Sequence, residues 1–175
     1  MIPASTPAGV LPPGRHPATI PEFTNRYVTT PHRAACQAQL ISMITDFIST
    51  VGPLPYLWIG GSFLDETREP DDLDVVILAE HALLDRAWRA YGPGRRYLEN
   101  IADGDTDQMF PLLDLHLLPV HPPLITGMSD SSLNQRKYLA HRGYWDELWS
   151  ARRTTSGAPH RNEHGYLEVI IDGYA

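Results

Sequence analysis

Leu57-Trp58-Ile59-Gly60-Gly61-Ser62, followed ten residues past the serine by Asp72-Leu73-Asp74-Val75-Val76, is the stretch whose reading decides the fold. Tyr56 to Ile59 is a short apolar run stopped by two glycines. A polar loop from Ser62 to Asp71 leads into Asp72 to Leu78, β-branched and apolar enough for a core strand. Strand side chains alternate, so Leu73, Val75 and Ile77 share one face while Asp72 and Asp74 share the other. A third run, Leu112 to Leu118, lies between Pro111 and Pro119 and repeats the pattern. Leu113, Leu115 and Leu117 form its apolar row, and Asp114 and His116 face the opposite way.

Carboxylates held beside a core cost several kcal/mol unless something compensates their charge. If the second and third runs are neighbours, Asp72, Asp74 and Asp114 gather at one place, and a divalent cation is the ordinary remedy for their repulsion. Ligands that are all oxygen favour Mg²⁺ or Mn²⁺ over zinc. The competing reading makes Asp71 and Asp72 turn residues and leaves Asp74 on a half-exposed sheet. Asp114 argues against it, because it interrupts an otherwise apolar run. Asp103, Asp105 and Asp107, in a Gly-containing loop, compete for the third ligand position. The Gly60-Gly61-Ser62 turn lets backbone approach a ligand closely and offers N–H groups and a hydroxyl suited to phosphate. Its spacing is neither that of a P-loop nor that of a Rossmann fingerprint.

Outward from this centre, helices and strands alternate without an internal repeat. The first 18 residues hold Pro3, Pro7, Pro12, Pro13 and Pro17 and read as an extended arm or disordered lead-in, leaving 19–175 as one domain. Thr19 and Glu22 form a capping box with Pro21 between them, opening a helix through about Tyr27. Thr30-Pro31 opens a second helix with Leu40, Ile44, Phe47 and Ile48 on one stripe, ending before Gly52-Pro53. Residues 80–91 predict a helix halted by Gly92-Pro93-Gly94, residues 131–150 a long one, and Tyr166 to Ile171 a last strand. The expected class is α/β (α+β), a mixed sheet flanked by helices.

The chain has 175 residues, enough for one domain with a real core. No apolar run approaches the roughly 18 residues a membrane span needs, and the N-terminus lacks a signal-peptide pattern. A soluble, cytoplasmic protein with no membrane partner is expected. Its 21 acidic and 14 basic residues give a formal charge of −7, which excludes a strongly basic nucleic-acid glove but not a local basic groove. Lys137 is the only lysine, a bias that GC-rich coding explains. Cys36, the only cysteine, forms neither an intrachain bridge nor a cysteine zinc site, and no disulfide-linked partner is expected.

The strand, Gly-Gly-Ser turn, loop and Asp-x-Asp strand, with Asp114 on a later strand, resemble the DNA polymerase β-like nucleotidyltransferase superfamily. Within it the chain is similar to a group of small bacterial and phage nucleotidyltransferase-like proteins. Leu11-Pro12-Pro13-Gly14-Arg15-His16, Gly61-Ser62-Phe63, Pro70-Asp71-Asp72-Leu73-Asp74 and the closing Gly165-Tyr166-Leu167-Glu168 carry that similarity. The resemblance implies a minimal polymerase β-like fold and transfer of a nucleoside monophosphate from a nucleoside triphosphate to a hydroxyl, with pyrophosphate released. It implies Asp72, Asp74 and Asp114 as catalytic metal ligands, and Gly60, Gly61 and Ser62 as the phosphate turn. Arg68 stands where related proteins carry Lys and would contact the triphosphate; Gly60 stands where a polar residue is common. The acceptor implied is an RNA end, a protein or a small molecule, in a toxin–antitoxin or phage-conflict role. The rival reading is a catalytically inactive binding or assembly module of the same fold.

Other signals carry less. His160-Arg161-Asn162-Glu163-His164 matches H-x-x-E-H, a zinc-peptidase pattern that requires a helix, whereas its flanks read as loop. Arg95-Arg96 and Arg136-Lys137 are basic pairs suited to a solvated face or to steering a triphosphate or an acceptor. Tyr138, Tyr144, Trp145 and Trp149 read as core, with base stacking as the alternative.

Overall fold

A computed structural model of the chain describes residues 1–120, 133–150, 152–153, 159–160 and 164–172. Its elements run β1 (Gly14–Thr19), α1 (Ile20–Tyr27), α2 (Pro31–Thr50), β2 (Tyr56–Gly60), β3 (Leu73–Glu80), α3 (His81–Arg89), α4 (Pro93–Asp103), β4 (Leu113–Val120), α5 (Leu133–Ser150), β5 (Arg152–Arg153), β6 (Pro159–His160) and β7 (Gly165–Ile170). Five strands form one mixed sheet in the order β1-β7-β2-β3-β4, and β5 and β6 form a separate two-stranded ribbon. β1 runs parallel to β7, β2 runs antiparallel to both β7 and β3, and β3 runs parallel to β4. The α/β class with a mixed sheet is therefore observed. Among the described residues, no helix is long and apolar enough to cross a membrane.

Alternation sorts the sheet's two faces. Leu57, Ile59, Leu73, Val75, Ile77, Leu115, Leu167 and Val169 are buried on one face. Each such side chain contributes roughly 1.5–3 kcal/mol when fully removed from water. α2 packs alongside with a buried stripe of Arg33, Cys36, Leu40, Met43, Ile44 and Phe47. Cys36 is a buried small side chain, as expected. The opposite face carries Asp74 and Asp114, together with Trp58, His116 and Tyr166, and meets α5.

Helix starts follow the caps. Thr19 caps α1 with a complete capping box: Glu22 N donates to Thr19 Oγ1 at 3.3 Å, and Thr19 N donates to Glu22 Oε2 at 2.9 Å. Thr30 caps α2 by accepting from Arg33 N at 3.2 Å.

The lead-in differs from the expectation. A domain boundary at residue 18 falls inside β1, an edge strand of the main sheet. Val10 and Leu11 are buried, and Leu11 O accepts from Gly165 N at 3.1 Å. Pro17 is tolerated because an edge strand needs hydrogen bonds on one side only. A second difference is α4, which starts where the sequence reading placed a stop. Gly92 is its N-cap and Pro93 its first residue, a position where the missing N–H costs nothing.

Candidate functional site

The site lies at one end of the β3–β4 pair. These strands are parallel with Asp74 opposite Asp114, so the two carboxylates project side by side from the same face. Asp72 lies in the bend just before β3, which begins at Leu73, one residue later than the strand the sequence reading drew. The next amide, Leu73 N, donates to Leu112 O at 3.0 Å and ties that bend to the start of β4. Asp72, Asp74 and Asp114 therefore come together as expected.

Their electrostatics record the crowding. Burial, then Asp72 and Asp114, push the Asp74 carboxyl up to about 6, with His116 pulling the other way. Burial raises Asp72 as well, with Asp114 and Asp71 adding to it. Asp114 is exposed, and His116 Nε2 lies 3.2 Å from its Oδ1. Like charges at a shared site favour the protonated form, as does loss of solvent. Among the described residues no group of three or more His, Cys, Asp or Glu side chains is already arranged to hold a metal ion. The three aspartates are neighbours that repel, not a closed ligand cage.

The glycine turn abuts this group and splits into two roles. Gly61 has φ +67°, and a Cβ there would sit 1.8 Å from Asp74 Oδ2, so only glycine lets the turn press against the carboxylate. Gly60 pairs with Asp74 across β2–β3, yet the space its missing side chain leaves is filled by Trp149, whose ring atoms would lie 2.4–2.8 Å from a Cβ. Gly60 thus has a packing role against Trp149 in addition to its place in the turn. Ser62 follows at the start of a 3-10 turn, half-buried, and its hydroxyl has no hydrogen-bond partner among the described residues.

Arg68 is not brought to the carboxylates. Its side chain is 62% exposed, with Nε 3.6 Å from Asp65 Oδ2. It lines a crevice with Arg26, Thr30 and Glu69, whereas Asp72, Asp114 and His116 line a different cavity of about 410 Å³. Asp103 and Asp107 share that second cavity; Asp105 does not.

Two features escape the motif reading. The first is Arg33, which is 3% exposed. Its Nη1 donates to Phe63 O at 2.6 Å and Tyr27 O at 3.2 Å, and its Nη2 to Asp65 O and Arg68 O, each at 2.9 Å. One guanidinium thereby sets the path of the loop leaving Gly61-Ser62. Its place on the α2 stripe, in line with Cys36 and Leu40, is the signal that could have found it. The second is an aromatic row under α5: His116 to Trp145 at 4.4 Å, Trp145 to Trp149 at 5.2 Å, Trp149 to Tyr166 at 5.5 Å, and Tyr166 to Trp58 at 5.3 Å between ring centroids. Trp145 and Trp149 are core-facing as expected, while Tyr144 is exposed.

Of the H-x-x-E-H stretch, the two described histidines lie outside any helix. Pro159–His160 is strand, and His164 leads into β7. Asn162 and Glu163, and the side chains of Arg136, Lys137 and Tyr138, lie outside the described residues.

Comparison with curated proteins finds no match, and comparison with solved structures finds none either. A family described as a family of unknown function, DUF6932, matches residues 3–170. That match takes in β1, the glycine turn, all three aspartates and β7, and the chain belongs to the DUF6932 family.

Proposed function

We propose that the chain is a divalent-cation-dependent nucleotidyltransferase with a minimal polymerase β-like core. It would move a nucleoside monophosphate from a nucleoside triphosphate to a hydroxyl acceptor. The observation that carries this reading is the register of Asp74 against Asp114, with Asp72 at the entry to β3 and the side-chain-free Gly61 pressed against Asp74. The donor set fits a hard cation: three carboxylates, oxygen only, two of them with pKa raised first by burial and then by the neighbouring carboxylates. Asp72, Asp74 and Asp114 would hold Mg²⁺ or Mn²⁺, which when bound supplies charge neutralisation to the triphosphate and the developing transition state.

The remaining work belongs to the chain. Gly61, in its left-handed conformation, and the hydroxyl of Ser62, without a hydrogen-bond partner among the described residues, bind the β- and γ-phosphates. Arg33 holds the following loop so that this turn keeps its shape. Asp114, the exposed member of the three, accepts the proton of the acceptor hydroxyl while His116 orients it. The hydroxyl oxygen forms the new bond to the α-phosphorus as the bond to pyrophosphate breaks. Positioning and electrostatics carry most of the rate in such transfers. Arg68 pairs with Asp65 and is given no part in this scheme.

A second reading, a module of this fold that binds or assembles without catalysis, is favoured by the lack of a ready-made metal cage among the described residues. One experiment separates the two. Calorimetric titration with Mn²⁺ and each of the four NTPs is compared between the native chain, Asp74→Asn and Asp114→Asn, alongside transfer of label from α-³²P NTPs in cell extract. Metal-dependent nucleotide binding and labelling in the native chain, both lost in variants that still fold, are expected. Labelling retained in both variants, or no metal-dependent nucleotide affinity at all, overturns the proposal.

A further inference from the structure

The corner between α3 and α4 departs from the acidic character of the chain. Residues 81–100 hold Arg86, Arg89, Arg95 and Arg96 against Asp85 and Glu99, in a chain whose formal charge is −7. The two acids are already used: Arg89 Nε lies 3.0 Å from Asp85, and Arg95 Nε 2.7 Å from Glu99. Arg86 and Arg96 are exposed and have no ion pair or side-chain hydrogen bond among the described residues. A surplus of positive charge thus stays open to solvent.

Aromatic rings stand in the same place. The Arg95 guanidinium sits between two of them, 5.3 Å from the Trp88 ring and 4.4 Å from the Tyr91 ring. Trp88 is 43% exposed and Tyr91 82% exposed. Tyr91 is also the one non-glycine with a positive φ, 51°, among the described residues. A bulky residue in that conformation is disfavoured, and such strain collects where a side chain is being presented. Tyr91, Arg95, Arg96 and Asn100 are among the residues lining a cavity of about 680 Å³.

We infer that this corner docks single-stranded nucleic acid, with Tyr91 as a stacking platform for a base and Arg96 as a phosphate contact. An open aromatic face beside an unpaired guanidinium matches the two halves of a nucleotide, its π-face and its anion. Duplex would satisfy the arginine but hide its bases from the ring. The inference needs no metal, no triphosphate and none of the three aspartates. α4 runs from this corner to Ile101, Ala102 and Asp103 in the wall of the carboxylate cavity, so a docked strand lies at one end of a helix whose other end borders that cavity.

The test is fluorescence anisotropy in EDTA without nucleotide, using a labelled single-stranded RNA of about 12 nucleotides, its DNA counterpart and the corresponding duplex. Both single strands should bind in preference to duplex. Affinity should fall about tenfold between about 50 and about 200 mM salt, as two or three phosphate contacts require. Tyr91→Gly suits the positive φ and keeps the fold; it and Arg96→Gln should each weaken binding about fivefold or more, while Asp74→Asn leaves binding unchanged. No binding at low salt, duplex binding as tight as single strand, or both corner variants binding like the native chain would overturn it. A change of oligomeric mass in Tyr91→Gly without nucleic-acid binding would also overturn it and assign the corner to a protein contact.

Discussion

Arg33 and Asp74 are both ionisable groups held against the core, and their surroundings treat them in opposite ways. Arg33 donates to four carbonyl oxygens and lies 4.8 Å over the Phe63 ring, so its charge is matched on every side. Asp74 has Asp72 and Asp114 beside it, a glycine pressed on its carboxylate, and only His116 and a backbone hydrogen bond favouring its charged form among the described residues. A satisfied buried charge stabilises one loop geometry; an unsatisfied cluster at a sheet end is retained at a cost that folding alone does not explain. The contrast teaches which group is scaffold and which is proposed to meet a ligand.

The sharpest way to break the contrast is at its satisfied half. Arg33→Ala leaves carbonyl groups of Tyr27, Phe63, Asp65 and Arg68 without their donor, and should cost about 3–5 kcal/mol by urea denaturation. Arg33→Lys, lacking the planar fork, should recover less than half of that loss. A change near zero for the alanine variant would remove Arg33 from its scaffold role.

Gly61→Ala comes next. The added methyl would meet Asp74 Oδ2 at 1.8 Å on a backbone with φ +67°, and about 2–3 kcal/mol should be lost. The double variant Gly61→Ala/Asp74→Ala removes the clash and should regain all but the roughly 1 kcal/mol that the left-handed conformation costs. Strict additivity of the two changes would show that turn and carboxylate are not in contact.

The smallest effect is read from pH. Folded Asp74 keeps its proton up to about 6, whereas its ordinary value is 3.8. The folded chain therefore holds the extra proton between those values, and stability falls as pH rises through that window. Without divalent ions, Asp74→Asn should flatten this decline and exceed the native chain by about 1–2 kcal/mol above pH 6, after allowance for solvent screening. Identical pH profiles for the two proteins would mean that Asp74 is not crowded.

How legible this was depended on range. The capping box of α1 and the alternation in β3 and β4 are local patterns, and both appear where Thr19, Glu22, Asp74 and Asp114 put them. The strand register that sets Asp74 opposite Asp114 follows from two apolar rows that must bury together. α4 was misread because Gly92-Pro93 ends one helix and begins the next, and Pro is as much a first-turn residue as a breaker. β1 was missed because its partner, β7, is distant in the chain and leaves no local trace. The role of Gly60 was invisible for the same reason, since Trp149 claims the space it leaves.

The pairing of β1 with β7 also has a bearing on how the polypeptide is made. On a ribosome, Gly14 emerges early and Gly165 late, and the edge of the sheet cannot close until both are out. The β2–β3–β4 half, with its acidic end, is free to assemble beforehand. During synthesis the apolar Val10 and Leu11, buried in the folded chain, stay uncovered until the late-emerging β7 closes that edge.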